Sequence, residues 1–227
     1  MRPIRKLAIG LWIAVFLFAG IRLGMNWQKA VPELTVNTTV DSDVDTAGNS
    51  QGPVSTGASG SSVEIGDALP GIRLNDLKGE PRDLAEWSGR TLLINFWATW
   101  CAPCRKEMPL LEQFQQSQDP ARMQVIGIAI DRRDPVVQFL GETGVTYPNL
   151  VGEMDATRAA EQFVEGLALP LSVVAAPDGT VLAVHMGELK ASDLEQVAAV
   201  ADGLAAGTLP VGDAPSRLKL GEKVPDT

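Results

Sequence analysis

All the cysteine of this 227-residue chain sits in one place: Cys101 and Cys104, two residues apart, just behind TLLINFW (Thr91–Trp97). The run is short and almost wholly apolar, the pattern of a strand buried on both faces of a sheet. Cys104–Gln118 is helical in composition, with Pro109 placed to kink the helix. Met123–Ile130 (MQVIGIAI) reads as a second buried strand. Buried strands joined through a helix run parallel and need helices over both faces, so the chain is committed to an α/β architecture.

The remaining segments fit that frame. Ile72–Arg82 alternates around an LKGE turn and predicts a hairpin, with a helical turn over Asp83–Ser88 that Gly89 ends. Asp134 is placed to cap a helix opening on Pro135 and stopping at Gly144. Asn149–Val151 is a short strand. Ala156, Ala159, Ala160, Phe163 and Val164 have helical spacing behind Asp155 as cap. Leu171–Ala176 and Thr180–Met186 flank Pro177-Asp178-Gly179, a hairpin signal. A last helix opens on a Ser192/Glu195 capping box and carries the stripe Leu194, Val197, Ala198 and Ala201. The expectation is a mixed central sheet with helices on both faces over 63–206, then a loose Pro/Gly-rich tail over 207–227.

Residues 1–28 read as an address. Arg2, Arg5 and Lys6 precede an apolar run from Leu7 to Ile21, and Trp27 suits a membrane interface. A transmembrane anchor and a cleaved signal peptide both fit, and the lack of a clear small-x-small cleavage site favours the anchor. Both place the rest of the chain outside the cytoplasm. Residues 29–62 are rich in Ser, Gly, Thr, Asn and Asp and end GPVSTGASGSS, a composition that buries too little apolar surface to offset chain entropy. They read as a flexible tether.

Composition removes several functions. A net charge of −9 and a pI near 4.7 argue against a nucleic-acid partner, which needs a basic face. One His and two Cys make a zinc site of three or four such ligands nearly impossible, and one Cys pair cannot form a disulfide framework. No metal or cofactor is expected beyond the Cys101–Cys104 pair itself.

The pair has chemical meaning where it stands. Unbonded amide N–H groups at a helix start, and the helix dipole, favour a thiolate at Cys101. Thiolate is the form that attacks a disulfide, and Cys104, one turn on, is placed to resolve the product. Ala102 and Pro103 shape the turn. Half a zinc site and a purely structural disulfide are the competing readings; the first lacks a second ligand pair, and a two-residue loop constrains the unfolded chain little.

NFWATWCAPCRKEMP between a buried strand and a Pro-containing helix resembles the thioredoxin superfamily, and more narrowly the membrane-anchored thiol:disulfide oxidoreductases of the TlpA/ResA/DsbE type. The resemblance extends to the IGDALPGIRLNDLKGE opening and to LALPLSVV, and covers roughly Glu64–Ala205. It implies a thioredoxin fold with an N-terminal hairpin extension and a central helix-strand insertion. It implies that Cys101 attacks and Cys104 resolves. Glu107, three residues after the second Cys, becomes an acid that moves protons during exchange; the alternative is a solvated helix-face carboxylate. Asn95 stands where thioredoxins proper carry a buried acid. Pro170 is implied to be cis, presenting the Leu169 backbone to an extended substrate peptide. Trp97 is expected to pack, and Trp100 to offer a contact surface or else fill core. His185 reads as a hairpin-face residue. Ala168, Leu171 and Ala176 depart from the Gly, Thr and Asp usual around the proline, which touches substrate preference.

The function implied is a protein-disulfide reductase at the bacterial inner membrane, its domain in the periplasm, acting on client proteins with Cys pairs in cytochrome c or copper-oxidase maturation and fed by a membrane-embedded thiol donor. A thiol oxidase or isomerase, a peroxidase (disfavoured by Trp before the CxxC), and a non-catalytic thioredoxin-like binding or chaperone module are the alternatives.

Overall fold

The computed structural model describes residues 62–222. The expected anchor over 1–28 and all but the last residue of the tether over 29–62 lie outside them. Among the described residues no helix is long and apolar enough to cross a membrane.

Seven strands form one mixed sheet in the order β2-β1-β5-β4-β3-β6-β7. They are β1 (Arg73–Asp76), β2 (Pro81–Asp83), β3 (Thr91–Trp97), β4 (Met123–Ile130), β5 (Asn149–Gly152), β6 (Leu171–Ala175) and β7 (Val181–Met186). The helices are α1 (Ala102–Ser117), α2 (Arg133–Thr143), α3 (Met154–Ala160) and α4 (Ala191–Ala205), with 3-10 turns at Leu84–Trp87 and Val211–Arg217. β3, β4 and β5 pair in parallel, and β6 and β7 return antiparallel beside β3. This is the thioredoxin fold. β5 is inserted between β4 and the N-terminal hairpin, which closes that edge of the sheet.

Every residue of β3 and β4 is buried, as their apolar runs require. Alternate side chains feed two core halves. Leu93, Trp97, Val125 and Ala129 pack with α1, α2 and α4; Ile94, Phe96, Ile126 and Ile128 pack with α3 and the first 3-10 turn. Glu112 ties α1 to the α2–β5 loop, accepting from the Thr146 N–H at 2.7 Å and the Thr146 hydroxyl at 2.6 Å.

Helix starts differ from expectation in three places. α2 begins at Arg133, two residues ahead of Pro135, and Asp134 lies in its first turn against Arg133 (3.1 Å) instead of capping. The first N–H groups of a helix are free in any case, so a proline there does not set the start. Gly144 stops α2 in the left-handed conformation, φ 72°, as expected. α3 begins at Met154 behind Glu153, with Asp155 inside its first turn, and ends at Ala160; Phe163 stays buried through a tighter turn, its N–H donating to the Ala160 carbonyl. α4 begins at Ala191, and the acid that closes its start is Asp193, accepting from the Lys190 N–H at 2.8 Å; Glu195 is exposed.

The tail expected to be loose from Gly207 is packed as far as 222. Ala214 is fully buried and Leu218 nearly so. Buried Asp193 accepts the Gly221 N–H at 3.0 Å, and Gln196 the Lys219 N–H at 2.7 Å. Apolar residues at 209, 211, 214, 218 and 220 cover a flank of α4, an association that Pro/Gly content alone does not reveal.

Candidate active site

The chain leaves β3 at Trp97 and turns through Ala98-Thr99-Trp100 into α1. Asp131, at the end of β4, accepts from both the backbone N–H and the hydroxyl of Thr99, which pins this turn to the neighbouring strand. Cys101 is the N-cap of α1, and its Sγ accepts the Cys104 N–H at 3.3 Å. The two sulfurs are joined in a disulfide. Cys101 keeps a little exposure (6%), whereas Cys104 has none. Ala102 and Pro103 are exposed beside them.

The register of β3 against β6 sets Phe96 opposite Leu171, so Pro170 lies at the same end of these strands as the Cys turn. The Leu169–Pro170 bond is cis, Pro170 is buried, and Leu169 is half-buried. The Gly187 N–H donates to the Pro170 carbonyl at 2.8 Å. Trp97 is wholly buried and its Nε1–H donates to Asn149 Oδ1 at 3.0 Å, while Trp100 stands 67% exposed and so does not fill core.

Glu107 is buried, not a solvated helix-face carboxylate. Its Oε1 accepts from Asn95 Nδ2 at 2.8 Å and its Oε2 from the Leu189 N–H at 2.8 Å. Burial pushes its pKa up to about 7; those two donors pull the other way, and the negative charge of Glu188 adds to the rise. Tyr147, also buried, has its phenol pushed up by burial and then by the charges of Glu107 and Glu112. His185 lies half-buried on β7, across from Ser172.

The structure thus brings Cys101, Cys104, Ala102, Pro103, Trp100, Leu169 and Pro170 to one end of the central strands, with Glu107 one turn beyond Cys104 along α1. Sequence reasoning missed Ser172, Leu189, Asp131 and the Asn149–Trp97 contact. Asp131 follows a buried strand next to the Cys-bearing one, a placement that could have flagged it; nothing local marks the others. Among the described residues no group of three or more acid, His or Cys side chains is arranged to hold a metal.

A disulfide between a helix-capping cysteine that reaches the surface and a buried one a turn on can pass two electrons to or from another sulfur pair. That chemistry on this fold defines a thioredoxin-like thiol:disulfide oxidoreductase. Residues 64–200 match the Redoxin family, more than half of the chain, and the chain belongs to that family, within it to the TlpA/ResA/DsbE type. It is 29% identical over 138 residues to the thiol-disulfide oxidoreductase ResA of Bacillus thuringiensis, covering 59% of this chain and 76% of that one. It is 26% identical over 138 residues to the thioredoxin-like protein YneN of Bacillus subtilis, covering 59% and 78%. Among solved structures, a thiol:disulfide interchange protein of the thioredoxin family from Chlorobium tepidum superposes with a TM-score of 0.55 at 25% identity, covering 62% of this chain and 99% of that one.

Proposed function

We propose that the domain reduces disulfides of specific periplasmic client proteins, in cytochrome c or copper-oxidase maturation, while residues 1–28 hold it at the inner membrane beside a membrane-embedded thiol donor. The observation that carries the direction of attack is the asymmetry of the pair: Cys101 caps the helix and reaches the surface, and Cys104 is sealed beneath it. In the reduced protein the Cys101 thiolate attacks a client disulfide, an Sγ–S bond forms, and one client sulfur leaves as thiolate. Cys104 then loses its proton and attacks Cys101 Sγ. The second client sulfur leaves and takes up a proton, so the client gains the two electrons that the Cys pair gives up. Glu107 receives the Cys104 proton, a task suited to a group titrating near pH 7.

Exposed Trp100, Ala102 and Pro103, with Leu169 and Pro170, form the surface the client peptide meets, the Leu169 backbone offering it strand-like hydrogen bonds. Membrane anchoring would keep donor and client on one surface at high effective concentration. Equilibration with thiol buffers tests the direction. A potential near that of thioredoxin, about −270 mV, is expected; one near that of DsbA, about −120 mV, would turn the reading to an oxidase. Cys104→Ser should stall the reaction as a mixed disulfide, and the captured protein identifies the client.

A further inference from the structure

A single row of residues crosses the sheet beneath α1. The register sets Asn149 beside Gly127, Gly127 beside Asn95, Asn95 beside Ser172, and Ser172 beside His185. Five adjacent strands each contribute one member, and none is aliphatic beyond the bare glycine. The neighbours of Asn95 on the same face of β3, Leu93 and Trp97, are fully buried. A polar rung at this depth is costly unless its groups are hydrogen-bonded.

Asn95, fully buried, uses its amide nitrogen twice. Nδ2 donates to Glu107 Oε1 at 2.8 Å and to Ser172 Oγ at 3.1 Å. With Glu107 ionised, an amide turned over would set Oδ1 against the carboxylate oxygen, so the charged form favours the orientation in which Nδ2 serves both partners. Asn95 Oδ1 itself has no partner among the described residues, so the orientation is held entirely from the nitrogen side. The other Glu107 oxygen is held by a backbone N–H, that of Leu189, which no side-chain change removes.

We propose that Asn95 is the positioning residue for proton transfer at the disulfide: one amide N–H given to Glu107, and the other anchored on Ser172, aim the carboxyl and keep its charged form available. This rests on the role proposed for Glu107 above. The other charged or titratable groups around Glu107 are Lys106 and Glu112 on α1, Glu188 after β7 (paired with Lys106 at 2.7 Å), Tyr147 before β5, His185 on β7 and Asp193 on α4; none donates a hydrogen bond to it. Among the described residues Asn95 is therefore the one side chain that donates a hydrogen bond to the Glu107 carboxyl, working against the burial and the Glu188 charge that favour the neutral acid. An acid at position 95 would place a second carboxyl against it and work the opposite way.

The test is the titration of the Glu107 side-chain carboxyl, followed by carbon NMR in the oxidised full-length chain, beside the pH profile of disulfide exchange. Asn95→Ala removes a donor to the anion and should move the Glu107 midpoint, and the acid limb of the profile, upward by about one to two pH units. Ser172→Ala, a change of one oxygen that the fold tolerates more readily, should shift both in the same direction by less. Unmoved midpoints in variants whose circular dichroism is native would overturn the inference. A Glu107→Gln enzyme with an unaltered exchange profile, while Asn95→Ala still moves the carboxyl, would instead sink the proton-transfer role of Glu107 and leave the positioning intact.

Discussion

The Glu107 carboxyl is buried in the arc of α1 that Cys104, Met108 and Leu111 also occupy, where the sequence leaves open a solvated helix-face carboxylate. What no spacing discloses is how the carboxyl is satisfied, because its donors come from Asn95, twelve residues away, and Leu189, eighty-two away. Its elevated pKa has a consequence for stability. The folded protein holds the Glu107 proton up to about pH 7, whereas the unfolded chain releases it near 4.5. The contribution is therefore fully present below pH 4.5 and is lost as pH rises to 7, amounting to about 3 kcal/mol. Urea denaturation of the wild type should show this decline above whatever slope Glu107→Gln retains; parallel profiles for the two would refute it.

At the level of elements, strands and hairpins were readable and helix starts were not. β3 and β4 have the bounds their apolar runs predict, since burial on both faces leaves no other pattern. Caps were displaced because helix starts are settled by neighbours: Asp193 is chosen over Glu195 because it also receives the Gly221 N–H of the tail. Gly127 is a further case. Within the apolar run of β4 it looks incidental, yet a Cβ there would overlap Asn149 Oδ1 and crowd Trp97 Nε1, the pair whose hydrogen bond locks β5 to β3 across it. Gly127→Ala should cost about 3 kcal/mol, the upper end for overpacking, read from the denaturation midpoint at unchanged slope. A loss under about 1 kcal/mol would mean that Asn149 swings clear.

Across the whole molecule, the packed segment 207–222 is part of the domain. It seats Ala214 and Leu218 in the core half that also holds α1, Cys101 and Cys104. Ending the chain at Ala206 should therefore destabilise the domain by at least about 2 kcal/mol, the burial of one large apolar side chain, and lower its melting temperature. A truncated chain with the full melting temperature would show that these contacts contribute nothing.

The chain's own order of residues determined the sulfur pair, the two central strands, the helix that Cys101 opens and both hairpins, because each rests on local periodicity or on groups within one turn of each other. Tertiary structure alone decided the polar rung under α1, the donors to Glu107 and the seating of the tail. Those depend on which strands become neighbours and in what register, and buried polar groups find their partners only after the sheet has assembled.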